Sequence, residues 1–253
     1  MTDVIVGCKW VLDEADVRVQ ADQSVDFSLA KSKISEYDKN AIEAAVQLAQ
    51  QLGGKAVGVT AGPATAKKAL TEALTRGLDE AVLVDTGDAG SSAQIAAQVL
   101  AAEARERGAE LIVVAEGSSD DYARQTPSRA GAILDWPVVT AVSGFAAAEG
   151  QLKVSRAADD AVQELTVTLP AVISVLPEAC DAPIPSLKAA LAAKKKPASE
   201  QSGADLGVTP VANATTTSVT GYASERQCVL VEGDSMAEKA AKLAAILKKE
   251  GVL

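Results

Sequence analysis

The most informative absence from this sequence of 253 residues is histidine, of which there is none. Histidine is the commonest general base and a frequent metal ligand, so its absence excludes a Ser-His-Asp or Cys-His catalytic arrangement. Cysteine is also scarce: Cys8, Cys180 and Cys228 lie far apart and form no Cys-x-x-Cys pair. Neither a disulfide framework nor a zinc or iron-sulfur site is indicated, and we predict no metal ligands and no catalytic residues.

The sequence also contains fewer basic than acidic residues. The chain has 24 Lys and Arg against 34 Asp and Glu, a net charge of -10. Such a balance argues against nucleic acid or an anionic membrane surface as a partner, because both require a basic face. No apolar run approaches the length of a membrane span, and Asp3 stands where a signal peptide would be basic. We therefore expect a cytoplasmic protein with no membrane insertion.

Two glycine signatures of nucleotide-binding folds are missing. Neither G-x-G-x-x-G nor G-x-x-x-x-G-K-[ST] occurs. The sequence therefore supports neither a dinucleotide site of the Rossmann type nor a P-loop.

What the sequence does contain is a regular alternation of buried strands and amphipathic helices. Short apolar runs rich in β-branched residues are followed by segments with helical periodicity, and the predicted strands are 4–8, 57–60, 81–84 and 111–114. Four strand-helix units in succession require a parallel sheet with right-handed crossovers. The fold class that we predict is α/β, a doubly wound and mostly parallel sheet.

The pattern changes after a fifth predicted strand at 136–140. Alternating residues at 152–156 and 162–168 predict an antiparallel hairpin, and 169–176 returns as a buried strand. Residues 197–227 are rich in Ser, Thr, Ala and Gly without periodicity, which favours an extended arm or linker. A strand at 228–231 and a helix capped by Ser235 follow. We predict an α/β domain over 1–196 and, over 197–253, an arm that embraces a partner subunit or links to a self-packed terminal unit.

The loop from Ala115 to Thr126 is the predicted ligand site. It follows a buried strand and precedes a helix start, at which Thr126 can cap the helix and Pro127 fits its first position. Open α/β sheets bind ligands at such strand ends. Asp120 and Asp121 can accept hydrogen bonds from ribose hydroxyls or an adenine amine, and Arg124 can meet a phosphate. A solvated polar turn would have a similar composition.

A second helix N-terminus is predicted at the same edge of the sheet. The segment from Ser35 to Asp38 has the spacing of a capping box, and an apolar stripe follows it as far as Gly53.

Several segments of the chain together resemble a known family. The chain resembles the beta subunit of electron transfer flavoproteins over nearly its whole length, and within that family it is most similar to the Fix type associated with carnitine reduction. The matching segments are 6–13, 33–45, Ala61-Gly62-Pro63, 117–120 with Gln125, Trp136-Pro137, 169–172 and 184–188 with the lysines before Pro197.

The resemblance implies a heterodimer with an alpha subunit that holds a redox-active FAD. The beta subunit would bind an adenine nucleotide of its own, either AMP or, in electron-bifurcating members that oxidise NADH, a second FAD. Carried onto this sequence, the cofactor-binding residues are Gly7, Ser35, Glu36, Tyr37, Asp38, Ala61, Ala115, Gly117, Ser118, Ser119, Asp120, Asp121, Arg124, Gln125 and Thr126. The loop that recognises acyl-CoA-type or other flavin dehydrogenases falls on 175–197, with Leu187 as its anchor beside Lys188.

The sequence departs from the family pattern at several positions. Pro127 stands where many members have glycine, so no phosphate contact can come from that amide, and Arg124 can compensate with its charge. Glu14 replaces an aromatic residue that approaches the flavin in some members. Asp121 is typical of AMP-binding members.

Two other classes of protein share this broad fold. An adenine-nucleotide-binding regulatory protein of the universal-stress type needs a second glycine-rich phosphate loop late in the chain, which is absent here. An ATP-consuming enzyme needs a Ser-Gly-Gly loop after the first strand, where this chain has Gly7, Cys8 and Lys9.

Overall fold

The computed structural model describes residues 2–87, 92–148, 150–209, 216–222 and 228–253. The chain divides into two compact units. The larger comprises Met1–Arg18 and Asp26–Ser218, and the smaller Val19–Val25 and Val219–Leu253.

The described residues form the following strands and helices. The strands are β1 (Val4–Gly7), β2 (Trp10–Leu12), β3 (Arg18–Val19), β4 (Val25–Asp26), β5 (Ser32–Ile34), β6 (Ala56–Gly62), β7 (Glu80–Asp85), β8 (Leu111–Ala115), β9 (Val138–Ala148), β10 (Gln151–Ala157), β11 (Val162–Thr168), β12 (Ala171–Val175) and β13 (Ala198–Ser202). The α-helices are α1 (Glu36–Leu52), α2 (Lys68–Thr75), α3 (Ala93–Arg107), α4 (Thr126–Leu134), α5 (Leu187–Ala193) and α6 (Met236–Lys249).

A nine-stranded sheet organises the larger unit, in the order β11-β10-β9-β12-β8-β1-β6-β7-β13. All neighbours from β9 through to β13 pair in parallel, whereas β10 pairs antiparallel with β9 and β11. The prediction of a mostly parallel sheet with an antiparallel hairpin is confirmed.

Helices cover both faces of the sheet. On β1, Val4 and Val6 belong to the apolar cluster that contains the buried side chains of α1 and α2, and Ile5 belongs to the cluster with α3 and α4. Successive strand residues point to opposite faces, so a run of apolar residues is needed where both faces are covered. The doubly wound arrangement follows from those uninterrupted runs.

The fifth predicted strand proves to be longer than expected. β9 runs eleven residues, beginning parallel to β12 and continuing as the first strand of the antiparallel meander. Its pairing with β12 shifts register between Ile173 and Val175, and opposite that point Ala141 has a φ of 56°. A bulge of this kind bends the strand and lets it leave the parallel part of the sheet.

Residues 198–202, which the sequence assigns to an arm or linker, form the edge strand β13 beside β7. Its residues are exposed or half-buried, so they lack the apolar alternation that predicts a strand. The Lys196 ammonium just before it donates to the carbonyls of Gly77 and Leu78. Because β13 is an edge strand, its residues need not alternate between apolar and polar, and the sequence pattern therefore does not predict it.

In the smaller unit, the helix predicted after Ser235 is confirmed as α6, with the Ser235 hydroxyl accepting from the Glu238 N–H. The predicted strand at 228–231 is not formed.

Candidate functional site

A cleft opens at the carboxyl ends of β1, β6 and β8. β1 leads to α1 on one face of the sheet and β8 leads to α4 on the other, so the connections diverge between two neighbouring strands, which is where open α/β sheets have a crevice. The empty space, mouth included, is about 650 Å³. It is lined by Gly7, Cys8, Lys9, Asp38, Val59, Ala61, Ala93, Ala96, Val99, Leu100, Val114, Ala115, Glu116, Gly117, Ser118, Asp121, Ala123, Arg124, Thr126 and Pro127.

The floor of the cleft is made of small residues at the strand ends. A Cβ added to Gly7 would lie 3.2 Å from Val114 Cγ1 and 3.5 Å from Leu100 Cδ1. Ala61, at the end of β6, is 8% exposed. A larger side chain at either position would occupy the space that these residues leave for a ligand.

The N-terminus of α1 is tied to the loop after β8. Ser35 makes no capping bond to its own helix; its hydroxyl accepts from the Ser119 N–H at 3.1 Å instead. The capping role predicted for Ser35 is therefore wrong, and the residue joins two loops. The Ser119 hydroxyl is buried and has no hydrogen-bond partner among the residues that the structure describes, and Ser119 does not line the cleft.

The N-termini of α3 and α4 also border the cleft. Ser92 caps α3 through the Ile95 N–H. At α4 the N-cap residue is Gln125, so Thr126 is already the first helical residue and, contrary to the prediction, makes no cap. The unpaired N–H groups and dipole of a helix N-terminus favour an anion.

Lys9 and two aspartates form a charged cluster across the mouth. The Lys9 ammonium lies 2.9 Å from Asp120 Oδ2 and 3.2 Å from Asp121 Oδ2, and donates to Ser118 Oγ at 3.2 Å. The Ser118 hydroxyl also lies within hydrogen-bond distance of both aspartates. Burial would raise the pKa of Asp121, but the bond from Ser118 and the charge of Lys9 outweigh it and lower the pKa.

Asp38 lies beneath this cluster. It is 6% exposed and accepts a 2.6 Å hydrogen bond from the Lys9 N–H. Burial and, to a smaller extent, the nearby Asp120 carboxylate raise the pKa of Asp38, the Lys9 N–H and ammonium act to lower it, and the net result is a pKa of about 7. Near neutral pH this carboxyl is divided between its two protonation states.

Glu116 is the most thoroughly satisfied side chain of the site. One carboxylate oxygen accepts from Arg124 Nε at 3.0 Å and Nη2 at 2.7 Å, and the other accepts from the Ala141 N–H at 2.8 Å and the Ser174 hydroxyl at 2.5 Å. Burial acts to raise the pKa of Glu116, but these bonds lower it below the usual value. Arg124, expected at a phosphate, is paired with Glu116 while its side chain remains 57% exposed.

Two tyrosines, one from α1 and one from the loop after β8, pack against each other. The rings of Tyr37 and Tyr122 have centroids 5.2 Å apart and are tilted by 60°. A Cβ on Gly117 would lie 2.4 Å from the Tyr122 ring, so glycine is required for that ring to pack on the backbone. Tyr122 and Arg124 both have positive φ, at 45° and 56°. The loop is thus held in a specific shape by side-chain contacts.

The structure brings most of the sequence-predicted residues to one place. Those that line the cleft are Gly7, Asp38, Ala61, Ala115, Gly117, Ser118, Asp121, Arg124 and Thr126. Of the others, Glu36 pairs with Lys33 and Lys39, and Gln125 accepts from Arg129. Lys9 was missed as a site residue, and Glu116, although inside the predicted loop from Ala115 to Thr126, was not named among the cofactor-binding residues.

The segment predicted to recognise partners lies elsewhere in the larger unit. Leu187 begins α5, where Ser186 caps the helix, and it is 79% exposed. Ile184 and Leu191 are also exposed. Leu187 and Leu191 on successive turns of α5, with Ile184 just before the helix, therefore form an exposed apolar surface that is available for contact with another molecule.

Two further properties concern the described part of the chain. It contains no group of three or more His, Cys, Asp or Glu side chains that could hold a metal ion. None of its helices is both long and apolar enough to cross a lipid bilayer.

Fold and cleft together define a doubly wound α/β protein with a ligand crevice at its strand ends. The electron transfer flavoprotein domain model matches residues 26–206. The chain belongs to the electron transfer flavoprotein family, and its role is that of an electron transfer flavoprotein.

Proposed function

We propose that this chain is the beta-type subunit of an electron transfer flavoprotein, which pairs with an alpha subunit and carries electrons from a dehydrogenase to a downstream acceptor through FAD. The observation that carries this proposal, beyond the family match, is the cleft at the strand ends, where carboxylates and helix N-termini converge. When bound, the flavin supplies the redox chemistry, and this chain binds and orients cofactors. We place the protein in the cytoplasm.

The residues present fit the adenosine half of a nucleotide. Asp120 and Asp121 keep 39% and 51% of their side chains exposed, and their oxygens can accept from ribose hydroxyls. The small residues Gly7 and Ala61 leave room for a ring system against the ends of β1 and β6.

The phosphate end fits an anion. Arg124 offers the guanidinium hydrogens that Glu116 does not use, and the start of α4 contributes its dipole although Pro127 has no N–H. Besides the residues around Arg124 and the start of α4, the cleft is lined by Ala93 and Ala96 of α3, both small residues. That lining supports a second FAD over AMP, while Asp121 supports AMP; we favour the second FAD, with NADH as the donor to it in an electron-bifurcating complex.

Nucleotide release decides between the two ligands. The chain is co-expressed with an electron transfer flavoprotein alpha subunit, and the purified complex is denatured with acid. We expect two FAD per heterodimer by chromatography of the released nucleotides. One FAD with one AMP contradicts the second-FAD proposal but supports the subunit assignment. Nucleotide bound without any association with the alpha subunit instead supports a regulatory protein of the universal-stress type.

Partner docking gives an independent prediction. We propose that Leu187 inserts into an apolar pocket of an acyl-CoA-type or other flavin dehydrogenase, with Lys188 beside it. Leu187→Ala is expected to weaken electron transfer from that partner by roughly 1 to 3 kcal/mol of binding energy, because a buried apolar anchor is lost. Steady-state assays across dehydrogenase concentrations measure the loss.

The matched control for this prediction is Val162→Ala, which truncates another exposed apolar residue, 65% exposed on β11. It should leave docking to the dehydrogenase unchanged. If Leu187→Ala alters bound flavin or the urea midpoint as well, Leu187 acts as a packing residue and the docking proposal fails.

A further inference from the structure

Lys9 occupies a position in the cleft that its sequence neighbours do not reveal. Its side chain is 19% exposed and lines the cleft, and the residue is fixed through its backbone as well. The Lys9 N–H donates to Asp38, and the Lys9 carbonyl accepts from the Ser35 N–H at 3.0 Å. The ammonium is therefore presented from a rigid base, between the start of α1 and the loop after β8.

The loop after β8 concentrates acceptors. Both Asp120 Oδ1 and Asp121 Oδ1 lie within hydrogen-bond distance of the single Ser118 hydroxyl, at 2.5 and 2.7 Å. One hydroxyl has one hydrogen and can serve only one of these carboxylates at a time. Two adjacent carboxylates also repel each other, and the repulsion grows in a partly buried site. Ser118 alone cannot hold the two side chains together.

The Lys9 ammonium has three hydrogens, and the geometry gives each of them an acceptor: Asp120, Asp121 and Ser118. With Lys9 donating to Ser118, that hydroxyl is free to direct its own hydrogen to a carboxylate. The cluster then carries one negative charge in place of two. The remaining lone pairs of the aspartates stay available at the mouth of the cleft.

We propose that Lys9 is a positioning residue for nucleotide binding: it holds Asp120 and Asp121 in the orientation that accepts the ribose hydroxyls, and it acts through them without touching the phosphate. The inference rests on the proposed function, since it assumes that an adenine nucleotide occupies the cleft. It specifies which part of the ligand Lys9 affects, namely the adenosine moiety that AMP and FAD share.

The test compares adenosine with AMP on the heterodimer after its bound nucleotides have been removed from the cleft by dialysis against a chaotropic salt. Equilibrium dialysis with labelled ligand measures both affinities. Lys9→Met is expected to weaken adenosine and AMP binding by a similar factor, about 10- to 50-fold, as hydrogen bonds to charged groups are lost. Lys9→Arg should recover most of the affinity, because its guanidinium can still donate to both carboxylates.

Two further variants distinguish a positioning role of Lys9 from a general loss of structure in the protein. Lys33→Met removes a lysine that is 20% exposed, close to the 19% of Lys9, and that has three ion pairs outside the cleft, to Asp13, Glu14 and Glu36. It should leave both affinities at the wild-type level. In an Asp120→Asn, Asp121→Asn background, Lys9→Met should cost less than about 3-fold for adenosine, because the groups it positions are already altered.

The outcomes are distinct. If Lys9→Met weakens AMP but not adenosine, Lys9 contacts the phosphate and the positioning role is overturned. If its effect persists undiminished in the Asn background, or if Lys33→Met weakens binding equally, the inference also fails. If the wild-type complex binds neither ligand while remaining folded, the cleft is not an adenine-nucleotide site, and that part of the proposed function is wrong.

Discussion

Replacing Glu116 with alanine is expected to lower the free energy of unfolding by about 3 kcal/mol, because a buried hydroxyl and a half-buried backbone N–H lose their acceptor at once. Glu116 is 4% exposed, and the Ser174 hydroxyl that donates to it is fully buried on β12. The Ala141 N–H lies at the bulge in β9, where a positive φ on a non-glycine residue is itself unfavourable and needs support from its surroundings. Urea unfolding monitored by circular dichroism measures the change.

The control is Arg124→Met, which removes the other contact of the same carboxylate. The Arg124 side chain is 57% exposed, so its ion pair with Glu116 is screened by solvent, and we expect a much smaller loss than for Glu116→Ala. The loss of unfolding free energy for Glu116→Gln should lie between those of Glu116→Ala and Arg124→Met, because the amide has the same size as the carboxylate but accepts hydrogen bonds through only one atom. Equal losses for Glu116→Ala and Arg124→Met would mean that the exposed ion pair, and not the buried acceptor, accounts for the role of Glu116.

Asp38→Asn is expected to stabilise the protein without bound nucleotide by about 4 kcal/mol at pH 8 and to change little at pH 4. A carboxyl whose pKa is raised from 3.8 to about 7 on folding keeps its proton in the folded state while the unfolded state has lost it. The wild type therefore loses stability as pH rises from 3.8 to about 7, at most about 1.4 kcal/mol per pH unit, and the loss levels off above pH 7. Asparagine removes this dependence and can still accept from the Lys9 N–H.

Urea midpoints collected between pH 5.5 and 8.5 test this. The difference in urea midpoint between Asp38→Asn and the wild type should increase up to about pH 7 and stay constant above it. Asp22→Asn is the control: hydrogen bonds from the Ser24 hydroxyl and N–H lower the pKa of Asp22 from 3.8, so the stability lost with this carboxylate should not change with pH over this range. A constant difference between Asp38→Asn and wild type across the range would show that Asp38 is ionised in the folded protein throughout.

The loop after β8 could be recognised as a ligand loop from local features alone. An uninterrupted apolar run precedes it and a proline follows within the first turn of a helix, and these two features fix its place between a strand end and a helix start. Its detailed contacts could not be predicted. Ser35 stands at the sequence spacing of a helix N-cap, but its hydroxyl accepts a hydrogen bond from the Ser119 N–H of a distant loop and caps no helix.

β13 marks the limit of pattern-based prediction at a sheet edge. Only one side of an edge strand is paired, and this strand buries none of its side chains fully, so its residues need not alternate. The anchoring of the preceding Lys196 to carbonyls at the end of α2 involves residues more than a hundred positions away.

The sequence by itself determined the doubly wound sheet, because apolar runs that alternate with capped amphipathic helices can bury both faces of each strand in only this way. Tertiary structure alone decided which charges meet. Lys9 and Asp120 are 111 residues apart, and Glu116 and Ser174 are 58 apart. Nothing in the local sequence around either member of these pairs indicates its partner. Its partner is chosen by the order of strands in the sheet, which brings the ends of β1, β8 and β12 side by side.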